Sequence, residues 1–198
     1  MSSINGKVGV ALALCVGAGL LSACASPAEP TRMTAAANEV PPAAPGGPAW
    51  HALTVADVAG GSGTNPLFLS NVSDADLKTA LTATLRQGAY LAESGAGTYQ
   101  VSAHIMDLDK PTGSLDPLLW LAPVDWSATI KVRYVVAAPG KPAVFDEVVA
   151  ATGVGDATSS AGSQGRVQRA IEAAVRADIQ SFLIRLNTRW PAPASRAS

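Results

Sequence analysis

From residue 126 to 136, apolar and polar residues alternate almost without a break. Trp126, Ala128, Ile130, Val132, Tyr134 and Val136 lie on one side, and Ser127, Thr129, Lys131 and Arg133 on the other. Only an extended chain puts every second side chain on one face, so this stretch is expected to be a β-strand with one buried side. Ala138-Pro139-Gly140-Lys141 follows. Proline pre-sets φ at the second position of a turn, and glycine accepts a positive φ at the third. Residues 144–151 then return as the second arm of a hairpin.

The other elements join onto this hairpin. Residues 51–58 alternate loosely, with Leu53 and Val55 on one side, and predict a first strand. Ser73-Asp74-Ala75-Asp76 opens a helix, with Ser73 as N-cap and Asp76 near the positive end of the dipole. Leu77, Leu81 and Leu85 give that helix one apolar face. Tyr99, Val101, Ala103 and Ile105 alternate with Gln100, Ser102, His104 and Met106 as a further strand. Val167, Ile171, Val175, Ile179, Phe182 and Leu186 mark a helix over about 166–187, closed by Trp190-Pro191. Glu172 and Arg176 stand four apart on it, the spacing of an exposed helical ion pair. The order is β-α-β-β-β-α. Each strand has one apolar face and each helix one apolar stripe. The expected fold is α+β: a two-layer sandwich of a four-stranded, mainly antiparallel sheet with two helices on one face.

Length and composition fit one such domain. The chain has 198 residues, 48% hydrophobic and 15% charged, with a net charge of −1. Soluble domains average about 25% charged residues. Part of the apolar excess is 38 alanines, which add little core volume. A near-neutral balance argues against a nucleic-acid binder that neutralises many phosphates. Ample aliphatic content with small net charge argues against wholesale disorder. Only one long uncharged stretch exists, at the N-terminus, so a bundle of membrane helices is excluded.

That stretch carries the main functional information. Lys7 precedes a 14-residue apolar run, residues 8–21, short of the roughly 20 residues a span requires. A secretory signal accounts for it. Leu21-Ser22-Ala23-Cys24 closes the run and resembles the lipobox of bacterial lipoproteins. The resemblance implies a diacylglycerol on Cys24, cleavage before it and an N-acyl chain on the new terminus. Leu14 before Cys15 makes that cysteine a poor alternative, and Cys15 would leave with the signal. The mature chain would then hold no free thiol, disulfide or cysteine metal site. Ala25, where an aspartate commonly retains such proteins at the inner membrane, implies the outer membrane. Residues 24–49 carry six prolines and are expected to form an extended tether of roughly 80 Å. The domain layout is thus a signal over 1–23, the lipidated tether over 24–49, a periplasmic domain over 50–190 and a disordered tail over 191–198.

Together, the lipobox, tether and element order resemble small Gram-negative envelope lipoproteins. These include the lipoprotein of the lipopolysaccharide assembly complex and auxiliary lipoproteins of ABC-type lipid transport systems. The resemblance implies a membrane attachment through the lipid and an envelope protein as partner.

Catalytic chemistry is sparse. Ser102, His104 and Asp107 group on paper, but no nucleophile-elbow motif is present, and a solvent-facing or satisfied structural histidine accounts for His104. Asp107, Asp109 and Asp116 lack the closing glutamate of a calcium loop. The glycines at 60–63 and 153–165 lack the lysine of a phosphate loop and are taken as turns and flexible connections. No enzyme activity, metal or diffusible cofactor is therefore expected.

Two features point to binding. Leu115, Leu118, Leu119, Trp120 and Leu121 lie in a proline-flanked loop. They either cap the core or form an apolar surface for a protein partner or lipid. Residues 166–190 carry five arginines against Glu172 and Asp178, whereas 50–165 carry six basic and eleven acidic groups. Arg166, Arg169 and Arg176 fall off the apolar stripe, as a solvated helix face or as a contact for an acidic partner or anionic headgroups. Two functions follow. The first is a non-enzymatic envelope accessory or assembly protein; the second is a module binding lipid or another hydrophobic ligand through the 115–123 loop and the sheet face.

Overall fold

Backbone pairing follows the alternation seen in the sequence. A computed structural model describes residues 26–64, 70–94, 97–110, 126–155 and 163–190. The elements are α1 (Pro30–Met33), β1 (Leu53–Ala59), α2 (Asp74–Gln87), β2 (Tyr99–Asp109), β3 (Trp126–Ala137), β4 (Ala143–Gly155) and α3 (Ser163–Arg189). The four strands form one sheet in the order β1-β2-β3-β4. Strands β1 and β2 are parallel, because α2 carries the chain back between them. The β2-β3 and β3-β4 pairs are antiparallel, so the fold is the expected α+β arrangement with one parallel pair.

The local signals act as physical chemistry requires. The Ser73 hydroxyl accepts from the Asp76 amide at 3.1 Å and donates to the Asp76 carboxylate at 2.6 Å, satisfying the first turn of α2. In the hairpin turn, Gly140 takes φ +70° and the Lys141 amide donates to the Ala138 carbonyl at 3.0 Å. All six inward residues of β3 are buried, as are the six stripe residues of α3 named above. Leu77, Leu81 and Leu85 of α2 close the core against β1. The Tyr134 ring stacks on Phe182 with centroids 4.2 Å apart, and Phe145 meets Phe182 edge-on.

Two parts of the chain differ from expectation. Strand β4 runs to Gly155, so Gly153 and Gly155 are strand residues and not a flexible connection. A Cβ at Gly153 would overlap the backbone of Ala170, Ala173 and Ala174, and one at Gly155 the Arg166 carbonyl. These glycines let α3 lie directly against the strand.

The second difference is the segment over 26–49. Its residues do not stand off as a tether; they pack across α2 and α3 as a strap. Met33 and Ala35 are fully buried, and Ala28, Val40, Ala43 and Ala49 nearly so. The strap's polar groups are also satisfied by the domain. The Ala35 amide donates to the Thr84 hydroxyl at 3.2 Å, and Tyr90 donates to the Pro41 carbonyl at 2.6 Å. The Ala43 amide donates to the Gly88 carbonyl at 2.8 Å. The absent Cβ of Gly88 leaves room for Val40 and the Tyr90 ring, and the left-handed turn that ends α2 falls on Ala89, φ +58°. Prolines still exclude a long helix or strand here. They do not prevent Met33, Val40 and small alanines from filling the groove between two helices. The domain therefore begins near residue 26, not at 50. The proposed signal over 1–23, Cys24, the 115–123 loop and the tail over 191–198 lie outside the described residues.

Candidate functional site

The sheet turns one face to the helices and the other to solvent. On the solvent face, Arg133 of β3 grips Asp146 of β4 in a two-pronged ion pair, both contacts 2.8 Å. This bond holds the Asp146 carboxyl below its usual range and raises the Arg133 guanidinium. Lys131 pairs with Asp107 at 3.1 Å, and Thr129 bonds Thr152 at 2.8 Å. Exposed Val148 stands between the β4 members of these pairs, with exposed Val144 and Val154 beyond them and Met106 beside Asp107. An open depression of about 370 Å³ lies among Asp57, Ser102, His104, Met106, Arg133 and Val135. No hydrogen bond joins Ser102, His104 and Asp107, whose carboxylate is held by Lys131. Among the described residues, no three of His, Cys, Asp or Glu converge on a point where a metal ion would bind.

A second surface forms where α1, α3 and the end of β4 meet. Arg169, Glu172, Ala173 and Arg176 follow one another at helical spacing along α3 and line a cleft of about 440 Å³. Thr31 and Arg32 of α1 close one side, and exposed Val154 the other. Arg32 pairs with Glu29 at 2.9 Å. Neither Arg169 nor Arg176 makes an ion pair among the described residues.

Glu172 does not form the exposed pair with Arg176 that its spacing suggests. It is buried at the back of the cleft, where its carboxylate accepts from the Glu29 amide at 2.9 Å and from Gln168 at 2.8 Å. Burial pushes its carboxyl up, and these two bonds oppose that shift. Glu172 thus ties the strap to α3. Gln168 adds a bond to the Pro27 carbonyl at 3.0 Å.

Of the three arginines marked in the sequence, Arg169 and Arg176 come together here. Arg166 does not; it is only 7% exposed, in the first turn of α3 beneath Gly155. The close approach that Gly155 permits removes this turn from solvent. Arg32 takes its place in the cluster, and sequence reasoning missed it because residues 24–49 read as a tether. Leu115, Leu118, Leu119, Trp120 and Leu121 lie outside the described residues.

A third polar feature is internal. Tyr134 donates to Asp178 at 2.7 Å between β3 and α3, with both groups fully buried. Burial raises the Asp178 carboxyl to about 8, although Tyr134 and the charge on Arg185 pull it down. The Tyr134 phenol is raised well above its usual value, so it remains the donor.

No protein-family model and no curated protein sequence matches the chain. Among solved structures it is similar to a Xanthomonas campestris protein of family DUF330. That likeness has 12% identity and a TM-score of 0.48, covering 76% of this chain and 91% of that one. A provisionally named lipoprotein of Caulobacter crescentus CB15 gives 11% identity and a TM-score of 0.39, over 57% and 78% of the two chains. A hypothetical protein of Chlamydia trachomatis gives 12% and 0.39, over 69% and 95%. These scores lie below 0.5, too low to carry ancestry or function from those proteins to this one.

Proposed function

We propose that the chain is a lipid-anchored protein of the bacterial envelope. Acyl chains on Cys24 hold it at the outer membrane with its domain in the periplasm. It acts as a non-enzymatic accessory or assembly partner of an outer-membrane or transport complex. The lipobox carries this reading: Leu21-Ser22-Ala23-Cys24 ends an apolar run too short to span a bilayer. One acyl chain binds membranes only marginally, and the two or three of a mature lipoprotein anchor stably.

The solvent face of the sheet supports a protein partner over a small substrate. Its depression is open, and Lys131, Arg133, Asp107 and Asp146 are spent on one another. Interleaved valines and ion pairs suit a non-obligate protein interface, which is about as apolar as ordinary surface. Replacing Cys24 with Ser is expected to move the protein from the membrane fraction to the soluble envelope fraction. Full retention of that variant in membranes contradicts the anchor. Crosslinking in cells is expected to capture one specific envelope protein, whereas phospholipid carried through purification of the soluble variant would point to the ligand-binding alternative.

A further inference from the structure

We infer that Arg32, Arg169 and Arg176 seat the domain directly on the anionic phospholipid surface that holds its anchor. This inference rests on acylation of Cys24. A free tether of residues 24–49 would let the domain stand roughly 80 Å away. The strap removes that freedom, because it is bonded to the domain from its first described residue: Ser70 donates to the Ser26 carbonyl at 2.6 Å. Cys24 precedes Ser26 by two residues, at most about 7 Å of extended chain. The next attachments run along α3 to the cleft: Gln168 holds Pro27, and Glu172, in the cleft wall, holds Glu29. Arg169 follows Gln168 directly on α3 and Arg176 lies one turn beyond Glu172, the two arginines being about 10 Å apart along the axis.

The potential of an anionic membrane fades within a Debye length, about 8 Å at physiological ionic strength. Only a face held near the anchor can sample it; Ser70, which Lys110 also bonds at 3.3 Å, lies at Ser26, and the strap leads from there straight to the basic cleft. Its charge is complementary. Arg169 and Arg176 have no ion-pair partner among the described residues, and Arg32 pairs with the exposed Glu29 and also feels the charge of Glu172. The remaining acid, Glu172, is turned inward to the strap. Arginine suits the phosphate of a headgroup through its two-pronged donor geometry.

The test uses the full lipidated protein in vesicles of phosphatidylcholine, with or without 30% phosphatidylglycerol. Arginine modification by phenylglyoxal is read by peptide mass spectrometry. Arg169 and Arg176 are expected to react on the order of fivefold more slowly in the anionic vesicles, with the difference lost in high salt. Arg133, on the opposite face of the sheet, should react equally in both. Equal reactivity of Arg169 and Arg176 in the two vesicle types overturns the inference while leaving the anchor intact. So does equal protection in both, which would mean contact without recognition of charge. An N-terminal peptide without acyl mass overturns the anchor, and the seating with it.

Discussion

At the scale of single residues, the sharpest constraints are two missing side chains and one buried acid. Gly153 and Gly155 stand where a Cβ would enter the backbone of α3. Gly155→Ala is expected to cost about 3 kcal/mol, seen as a lower urea midpoint, because backbone on both sides leaves little to yield. A connection of flexible glycines would show almost no change. Asp178 makes a different prediction. Its carboxyl titrates near 3.8 when unfolded and about 8 when folded. Between those values the native state holds a proton that the unfolded chain has lost. Its stabilising contribution is therefore complete at the acid end and disappears as pH rises towards 8, at up to about 1.4 kcal/mol per pH unit. Asp178→Asn keeps an acceptor for Tyr134 and removes the titration. Thermal melts from pH 4 to 8 should fall with pH for the parent and much less for the variant; parallel slopes would contradict the assignment.

At the scale of elements, what was legible follows from period. Strand β3 and helix α3 announce themselves because each repeats one pattern over many residues, and their inward positions are buried as expected. The strap has no period. Its order comes from single contacts made across the chain, such as Ala35 with Thr84 and Tyr90 with Pro41, and no local pattern encodes these. The candidate cleft divides in the same way. Arg169 and Arg176 could be placed from helical spacing, whereas Arg32 depended on the strap and Arg166 on the approach that Gly155 allows. The alternating small residues Ala151, Gly153 and Gly155 were the available signal for that approach. Met33 tests the strap directly. It is fully buried, so Met33→Ala should lower stability by about 3 kcal/mol in urea unfolding. A methionine on a free tether could be replaced without effect.

At the scale of the molecule, one two-layer domain carries a solvent-facing sheet on one side and a strapped helix layer on the other. No helix among the described residues is long and apolar enough to cross a membrane. Membrane attachment in this account comes from Cys24, and the strap determines which face the attachment presents. The sheet is left open to a protein partner while the basic cleft meets the headgroups. Cutting the strap free by Met33→Ala should therefore loosen the seating as well as the fold, and the protection of Arg169 in anionic vesicles should weaken while the acyl anchor persists. All of this depends on the acylated cysteine. The intact mass of the protein purified from membranes tests it most directly. The expected species is a chain beginning at Cys24 with the added mass of a diacylglycerol and one further acyl chain. A chain that begins there without added mass, or that retains residues 1–23, would contradict it.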